Sequence, residues 1–263
     1  MKFASIGSNC IDLYHIGDKK IPYAGGGPIN VAVYLRRLGA CSAYVGAVGK
    51  DEYGSFLIEK VKKEGVDLSH VHILEGKTAI THVTLDKEER ILGEYEEGVL
   101  EAFSLSEEDL TYLEHFDVVI CDIWGHMEAQ FETLKRRGIK IAFDCANYQN
   151  DKRAEMAIPF VDMLFFSSDL EENDLKEEMK RLLACGPSLV IATRGEVGSL
   201  AFDGKAWQEE GIVPVEKVVD TMGAGDSYMA GFLYQYQLEH SISKAMKKGS
   251  EVASQTLTYY GAW

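Results

Sequence analysis

Asp220-Thr221-Met222-Gly223-Ala224-Gly225-Asp226-Ser227 lies late in the chain. A strand-like stretch, residues 212–219, precedes it, and an apolar-periodic run with Met229, Ala230 and Leu233 follows as a helix. Two glycines separated only by Ala224 leave backbone N–H groups free to converge on an anion. The helix N-terminus turns its positive dipole end to the same place. Asp226 falls in the first helical turn, where a carboxylate faces that cradle. Such an acid has a use if it removes a proton from a hydroxyl that attacks a phosphate. The same residues also suit an Asp N-cap on a tight glycine turn. The segment alone leaves both readings open.

Around it, short apolar runs recur between helix-like segments. Residues 3–7, 43–49, 117–121, 139–143, 163–166 and 189–193 read as buried strands. Amphipathic stretches at 28–38, 52–64, 106–115, 128–137 and 171–183 read as helices. Pro28 suits the first helical position and Gly39 the C′ position of the first of them. Ser106, followed by Glu107, Glu108 and Asp109, reads as an N-cap with acids in the first turn. Strands alternating with helices predict an α/β fold, a mainly parallel sheet covered on both faces. Two stretches break the rhythm, 12–24 and 76–98. The second alternates apolar and polar residues about a turn at Asp86-Lys87-Glu88-Glu89, and so predicts a small second sheet. From pattern alone, this is equally an edge hairpin or a lid over a cleft.

The chain has 263 residues, with 27 Lys and Arg against 42 Asp and Glu, a net charge of −15. That length fits one large α/β domain with an appendage. The acidic balance argues against non-specific binding to nucleic acid or to an anionic membrane. Cys10, Cys41, Cys121, Cys145 and Cys185 are odd in number and scattered, which predicts reduced, mostly buried thiols and not a disulfide framework. Met1-Lys2 runs straight into a strand and not a signal peptide. Residues 21–35, the longest uncharged run, contain three glycines and two prolines and are too short to span a bilayer. A soluble cytoplasmic protein is expected.

Several motifs fail on inspection. Gly76-Lys77-Thr78 resembles the end of a phosphate-binding loop, but Val71 stands where its first glycine is needed. The third glycine of a dinucleotide fingerprint is replaced by Asn30 after Gly25 and by Tyr228 after Gly223. His70, His72 and His126 lack zinc-ligand spacing and read as solvated or core residues. No G-x-S-x-G elbow is present.

At this point the residues carry a resemblance. Asp220 to Asp226 is similar to the D-T-x-G-A-G-D signature of ribokinase-like (pfkB) carbohydrate kinases. Gly7-Ser8-Asn9-Cys10-Ile11-Asp12 and Gly25-Gly26-Gly27-Pro28-Ile29-Asn30 resemble the family's sugar-binding segments. Gly46 to Gly54 resembles its V-G-x-D-x-x-G stretch, and Thr193-Arg194-Gly195-Glu196-Val197-Gly198 its nucleotide loop. The motifs stand in order and span almost the whole chain. Glu94 to Val99, Ile123 to His126 and Tyr260 to Trp263 further resemble members that phosphorylate fructosamines, sugars joined through nitrogen to an amine.

The resemblance implies a ribokinase-like fold, residues 1–263, with lid segments at 12–24 and 76–98. It implies transfer of the ATP γ-phosphoryl group to the 6-hydroxyl of a fructosamine. Asp226 is then the base, and Gly223, Ala224 and Gly225 form the anion hole. Asp12, Gly26 and Asn30 hold the sugar. Glu94, with Glu96 and Glu97, faces the substrate amine. Thr193, Gly195 and Gly198 meet the nucleotide, with the helix at 241–258 against the adenine. The family's N-x-x-E magnesium segment is altered to Ser167-Ser168-Asp169-Leu170-Glu171-Glu172. Ser168 stands for the Asn, and Glu171 or Glu172 for the Glu, with Mg2+ carried by the nucleotide. Asp220 is the expected ligand of a monovalent cation, K+. A homodimer through the lid is also implied. The alternatives are a kinase for fructose or 2-keto-3-deoxygluconate, or a catalytically silent sugar- or nucleotide-binding regulator.

Overall fold

Strands apolar on both faces need cover on both, and the chain supplies it by alternating them with helices. The computed structural model describes residues 1–86 and 89–263. The amino-terminal half runs β1 (Lys2–Gly7), β2 (Cys10–Ile16), β3 (Lys19–Gly25), α1 (Gly27–Arg37), β4 (Cys41–Gly49), α2 (Glu52–Lys63), β5 (Val71–Leu74), β6 (Ile80–Asp86) and β7 (Glu89–Glu96). There follow α3 (Glu107–Leu113), β8 (Val118–Asp122), α4 (Phe131–Arg136), β9 (Ile141–Asp144), α5 (Lys152–Ala157), β10 (Met163–Ser167) and α6 (Glu172–Ala184). The chain ends with β11 (Leu189–Thr193), β12 (Ser199–Phe202), β13 (Trp207–Glu210), α7 (Ala224–Glu239) and α8 (Ile242–Thr256).

Nine strands form one sheet in the order β13-β12-β11-β10-β9-β8-β1-β4-β5. All neighbours pair parallel except β11 with β12 and β12 with β13. The strand order turns back at β1, which lies between β4 and β8. That switch opens a crevice at the carboxyl ends of these strands, the usual place for a ligand in such a sheet. On one face Val45, Val119, Ile141, Leu164 and Val190 pack with Leu113, Leu134, Leu175 and Met179 from α3, α4 and α6. On the other, Val118, Ile120, Phe165 and Ile191 meet Val31 and Leu35 of α1, Met229 and Phe232 of α7 and Met246 of α8. Each fully buried aliphatic or aromatic chain of this kind contributes about 1.5–3 kcal/mol.

The stretches at 12–24 and 76–98 contribute strands to a separate four-stranded sheet, β3-β2-β6-β7. Within it β2 and β6 run parallel, and the ladder of β6 with β7 slips between Thr81 and Val83. Ile11, Leu13 and Ile80 of this sheet pack on Ile29, Val33, Leu57 and Val61 of α1 and α2. Lys87 and Glu88 of the expected turn lie outside the described residues.

Several expectations are corrected. Residues 212–219 form no strand, because β13 stops at Glu210 and no ladder runs beside them. Ile212, Val213 and Val218 are exposed there, and Val219 N–H donates to Leu257 O at 2.8 Å. The helix expected over 128–137 is split into a 3-10 turn, Glu128–Gln130, and α4. Pro28 sits one residue inside α1, after Gly27, whereas Gly39 takes the positive φ of 94° expected of a C′ residue. Cys10, Cys121 and Cys145 are buried, but Cys41, at the start of β4, and Cys185, capping α6, are exposed. Among the described residues no helix is long and apolar enough to cross a membrane.

His70 and His72 are neither free nor plain core residues. Both hydrogen-bond Asp109, at 2.8 and 3.0 Å, and Asp109 closes a capping box with Ser106 at the start of α3. Burial alone would raise the Asp109 carboxyl, but hydrogen bonds from His70, Ser106 and His72 outweigh it and hold the group below its ordinary range. A carboxylate lowered in the folded state stabilises the fold above its unfolded pKa of about 4, and this is lost as pH falls through the lower folded value. Asp109→Asn should therefore cost about 1–3 kcal/mol at pH 7. The deficit should shrink in urea titrations repeated near pH 3; a constant deficit would contradict the assignment.

Candidate active site

Three separate parts of the chain meet at the crevice beside β1. The first turn of α7 supplies Asp226, after Gly223 in the left-handed region at φ 73°. The first turn of α1 supplies Asn30, whose Nδ2 donates to Asp226 Oδ2 at 2.7 Å. The last residue of the chain completes the set: Trp263 Nε1 donates to Asn30 Oδ1 at 2.8 Å. The indole thereby sets which end of the Asn30 amide faces Asp226. Burial raises the Asp226 carboxyl, and the Asn30 hydrogen bond opposes the rise.

Asp220 ties the same region together. Its Oδ1 accepts from Met222 N at 2.9 Å, and its Oδ2 accepts from Gly261 N at 3.0 Å and Tyr14 Oη at 2.9 Å. One buried carboxylate thus joins the glycine turn, the carboxyl-terminal segment and the small sheet. Ala224 N–H makes a long bond of 3.3 Å to Thr221 O. Asp12 is buried on β2, accepting from the Cys10 thiol at 3.4 Å, and Gly25 leaves it the room. Gly26 caps α1.

Sequence reasoning missed two acids. Asp122 and Asp144 pair in register at the carboxyl ends of β8 and β9. Burial pushes Asp122 up to about 8, reinforced by the charges of Asp226 and Asp144 and opposed by Ser8. Burial likewise pushes Asp144 up to about 7, with Asp226 adding to it and the Ala146 N–H opposing. The available signal was an acid closing each apolar run, at the strand end where such sheets bind ligands. A Cβ on Gly27 would lie 2.8 Å from Asp122 Oδ2 and 3.2 Å from Asp226 Oδ1.

The expected nucleotide residues also converge. Ser168 N–H donates to Thr193 O at 3.0 Å. Gly195 and Gly198, at φ 55° and 104°, bracket the short turn after β11. This loop is joined to α7 through Ser199, whose Oγ accepts from Tyr228 Oη at 2.8 Å. Glu171 is exposed at the N-cap of α6 without capping it, and Glu172 pairs with Lys176. Among the described residues no three His, Cys, Asp or Glu side chains are arranged to hold a metal ion. A cation brought in by a nucleotide suits this donor set, with its excess of unneutralised carboxyls. Glu94 is exposed, whereas Glu96 and Glu97 bond His82 at 3.1 Å and His126 at 3.3 Å.

The pfkB family carbohydrate kinase profile matches residues 4–263. A protein of Shigella flexneri named fructoselysine 6-kinase is 41% identical over 260 residues, covering 99% of this chain and 98% of its own. One of Bacillus subtilis (strain 168), named a fructosamine kinase, is 31% identical over 268 residues, covering 100% of this chain and 93% of its own. The solved structure of Arabidopsis thaliana ribokinase, complexed with ribose and ATP, shares the fold with a TM-score of 0.88 at 20% identity, over 99% of this chain and 93% of that one. The chain belongs to the pfkB family of carbohydrate kinases. It is an ATP-dependent sugar kinase with a ribokinase-like fold.

Gly223 offers a direct check on the cradle. A Cβ there would meet the Ala262 Cβ at 2.8 Å, on a backbone that L side chains rarely adopt. Gly223→Ala should cost about 1–3 kcal/mol in stability and lower kcat at least about tenfold by displacing the α7 N-terminus. Unchanged kcat would show that the turn does not position the chemistry.

Proposed function

We propose that the protein transfers the γ-phosphoryl group of ATP to the 6-hydroxyl of a fructosamine, fructoselysine foremost. The observation that carries the chemistry is the pairing of Asp226 with Asn30 at the N-terminus of α7. One carboxylate oxygen is held by the amide, which leaves the other for the acceptor hydroxyl. The acid's raised pKa makes it a better proton acceptor than an exposed Asp. The named relatives, similar over nearly the whole chain, support the substrate class.

The N–H groups of Gly223, Ala224 and Gly225, with the α7 dipole, stabilise charge on the transferring group. The long Ala224 bond to Thr221 yields to the phosphate oxygen. One such donor is worth ~3 kcal/mol. Asp12, Gly26 and Asn30 hold the sugar, and Ser168, Thr193, Gly195 and Gly198 line the nucleotide. Glu171 would be the acid nearest to Mg2+ carried by the nucleotide, an ion that would neutralise phosphate charge. Asp220 is the side chain for a K+ ion beside the glycine turn. The small sheet acts as a lid, and Glu94 offers a carboxylate at its rim. A cytoplasmic homodimer joined through the lid fits its two open edges, β3 and β7.

Asp226→Asn should cut kcat by about 10² to 10⁴ while nearly keeping KM for both substrates. Undiminished turnover would remove Asp226 from its role. An ADP-release assay across fructose, fructoselysine and 2-keto-3-deoxygluconate tests the substrate. Fructoselysine should exceed fructose in kcat/KM by at least about tenfold, which needs ~1.4 kcal/mol at the transition state. Equal rates, or preference for the acidic sugar, would overturn the fructosamine assignment and leave the kinase intact.

A further inference from the structure

We propose that Asp122 is a specificity-determining substrate contact, which reads the ammonium nitrogen on C1 of the sugar from across Gly27. This rests on the fructosamine reading above and assigns that reading a residue. Asp122 closes β8, beside the strand where the sheet order turns back. Its Oδ2 and Asp226 Oδ1 both border the space that Gly27 leaves by having no side chain. Gly27 is partly exposed, so the space opens to the crevice. A ketohexose in its ring form carries the C1 substituent and the 6-oxygen at opposite ends of one ring. Two carboxylates bordering one space therefore suit one end each.

The surroundings of Asp122 make a cationic ligand the natural occupant. The side chain is 9% exposed. Its Oδ2 accepts from Ser8 Oγ at 2.7 Å, the Trp124 N–H also acts on the carboxyl, and the enclosed Oδ1 has no side-chain partner. Among the described residues no Lys, Arg or His forms an ion pair with it. Asp144 and Asp226 add like charges nearby. A buried acid without a cation partner is neutralised by a proton, as its rise to about 8 records, or by a cation that reaches it from the crevice. A fructosamine brings a secondary ammonium there, and fructose brings none. Of the lid acids expected to face the amine, Glu96 and Glu97 are already bonded to histidines.

The test compares wild type with Asp122→Asn on fructose, 1-amino-1-deoxyfructose and fructoselysine, by kcat/KM. In the wild type both amino sugars should exceed fructose at least tenfold. In the variant that advantage, read as the ratio of kcat/KM on each amino sugar to that on fructose, should fall at least tenfold, and Tm should be unchanged or higher. Asp122→Glu, which keeps the charge, should retain part of the preference, and it serves if the Asn variant folds poorly. Equal losses on all three sugars would mean a hydroxyl contact or a structural role, and no change would mean no contact; either overturns the proposal. A wild type without preference for amino sugars would overturn the fructosamine reading itself, and the proposal with it.

Discussion

The hydrogen-bonded chain Trp263–Asn30–Asp226 is the constraint on which the site depends. Its three members are the carboxyl terminus, the first turn of α1 and the first turn of α7. An amide has one donor end and one acceptor end, so an indole N–H on the oxygen leaves the NH2 group for the carboxylate. The orientation of the Asn30 amide against Asp226 is thus decided by Trp263. Tyr34 anchors that segment by donating to Ala262 O at 2.7 Å. Asp220 anchors it again through Gly261.

Around this chain the protein concentrates acids where the sheet order reverses. Asp122, Asp144 and Asp226 are all raised by burial, and the last adds its charge to the other two. Such a cluster opposes folding and is better tolerated next to cations. The strain sits on the same elements that hold the chemistry, while the hydrophobic clusters on both sheet faces hold those elements in place.

Much of this was legible from order and spacing. The α/β alternation follows from apolar runs, and the turn that opens α7 follows from two glycines before a helix. Asp12, Asn30, Thr193 and Asp226 were marked by motifs, because each needs particular backbone neighbours close in sequence. Residues 212–219 misled because their composition suits a strand, and a strand requires a partner that composition does not reveal. In residues 76–98 alternation says which residues share a face, but not that Glu96 and Glu97 find His82 and His126.

The sequence by itself determined the sheet class, the glycine turns and the family, since these depend on local propensity and on motifs a few residues long. Tertiary structure alone decided the role of Trp263, the convergence of Asp122 and Asp144 on Asp226, and the ties Asp220 makes to Tyr14 and Gly261. Those contacts join residues as far as 233 positions apart. The carboxyls of Asp122, Asp144 and Asp226 acquire shifted affinities only once burial removes water from them. No local pattern encodes that removal, because it is a property of what the rest of the fold packs around each group.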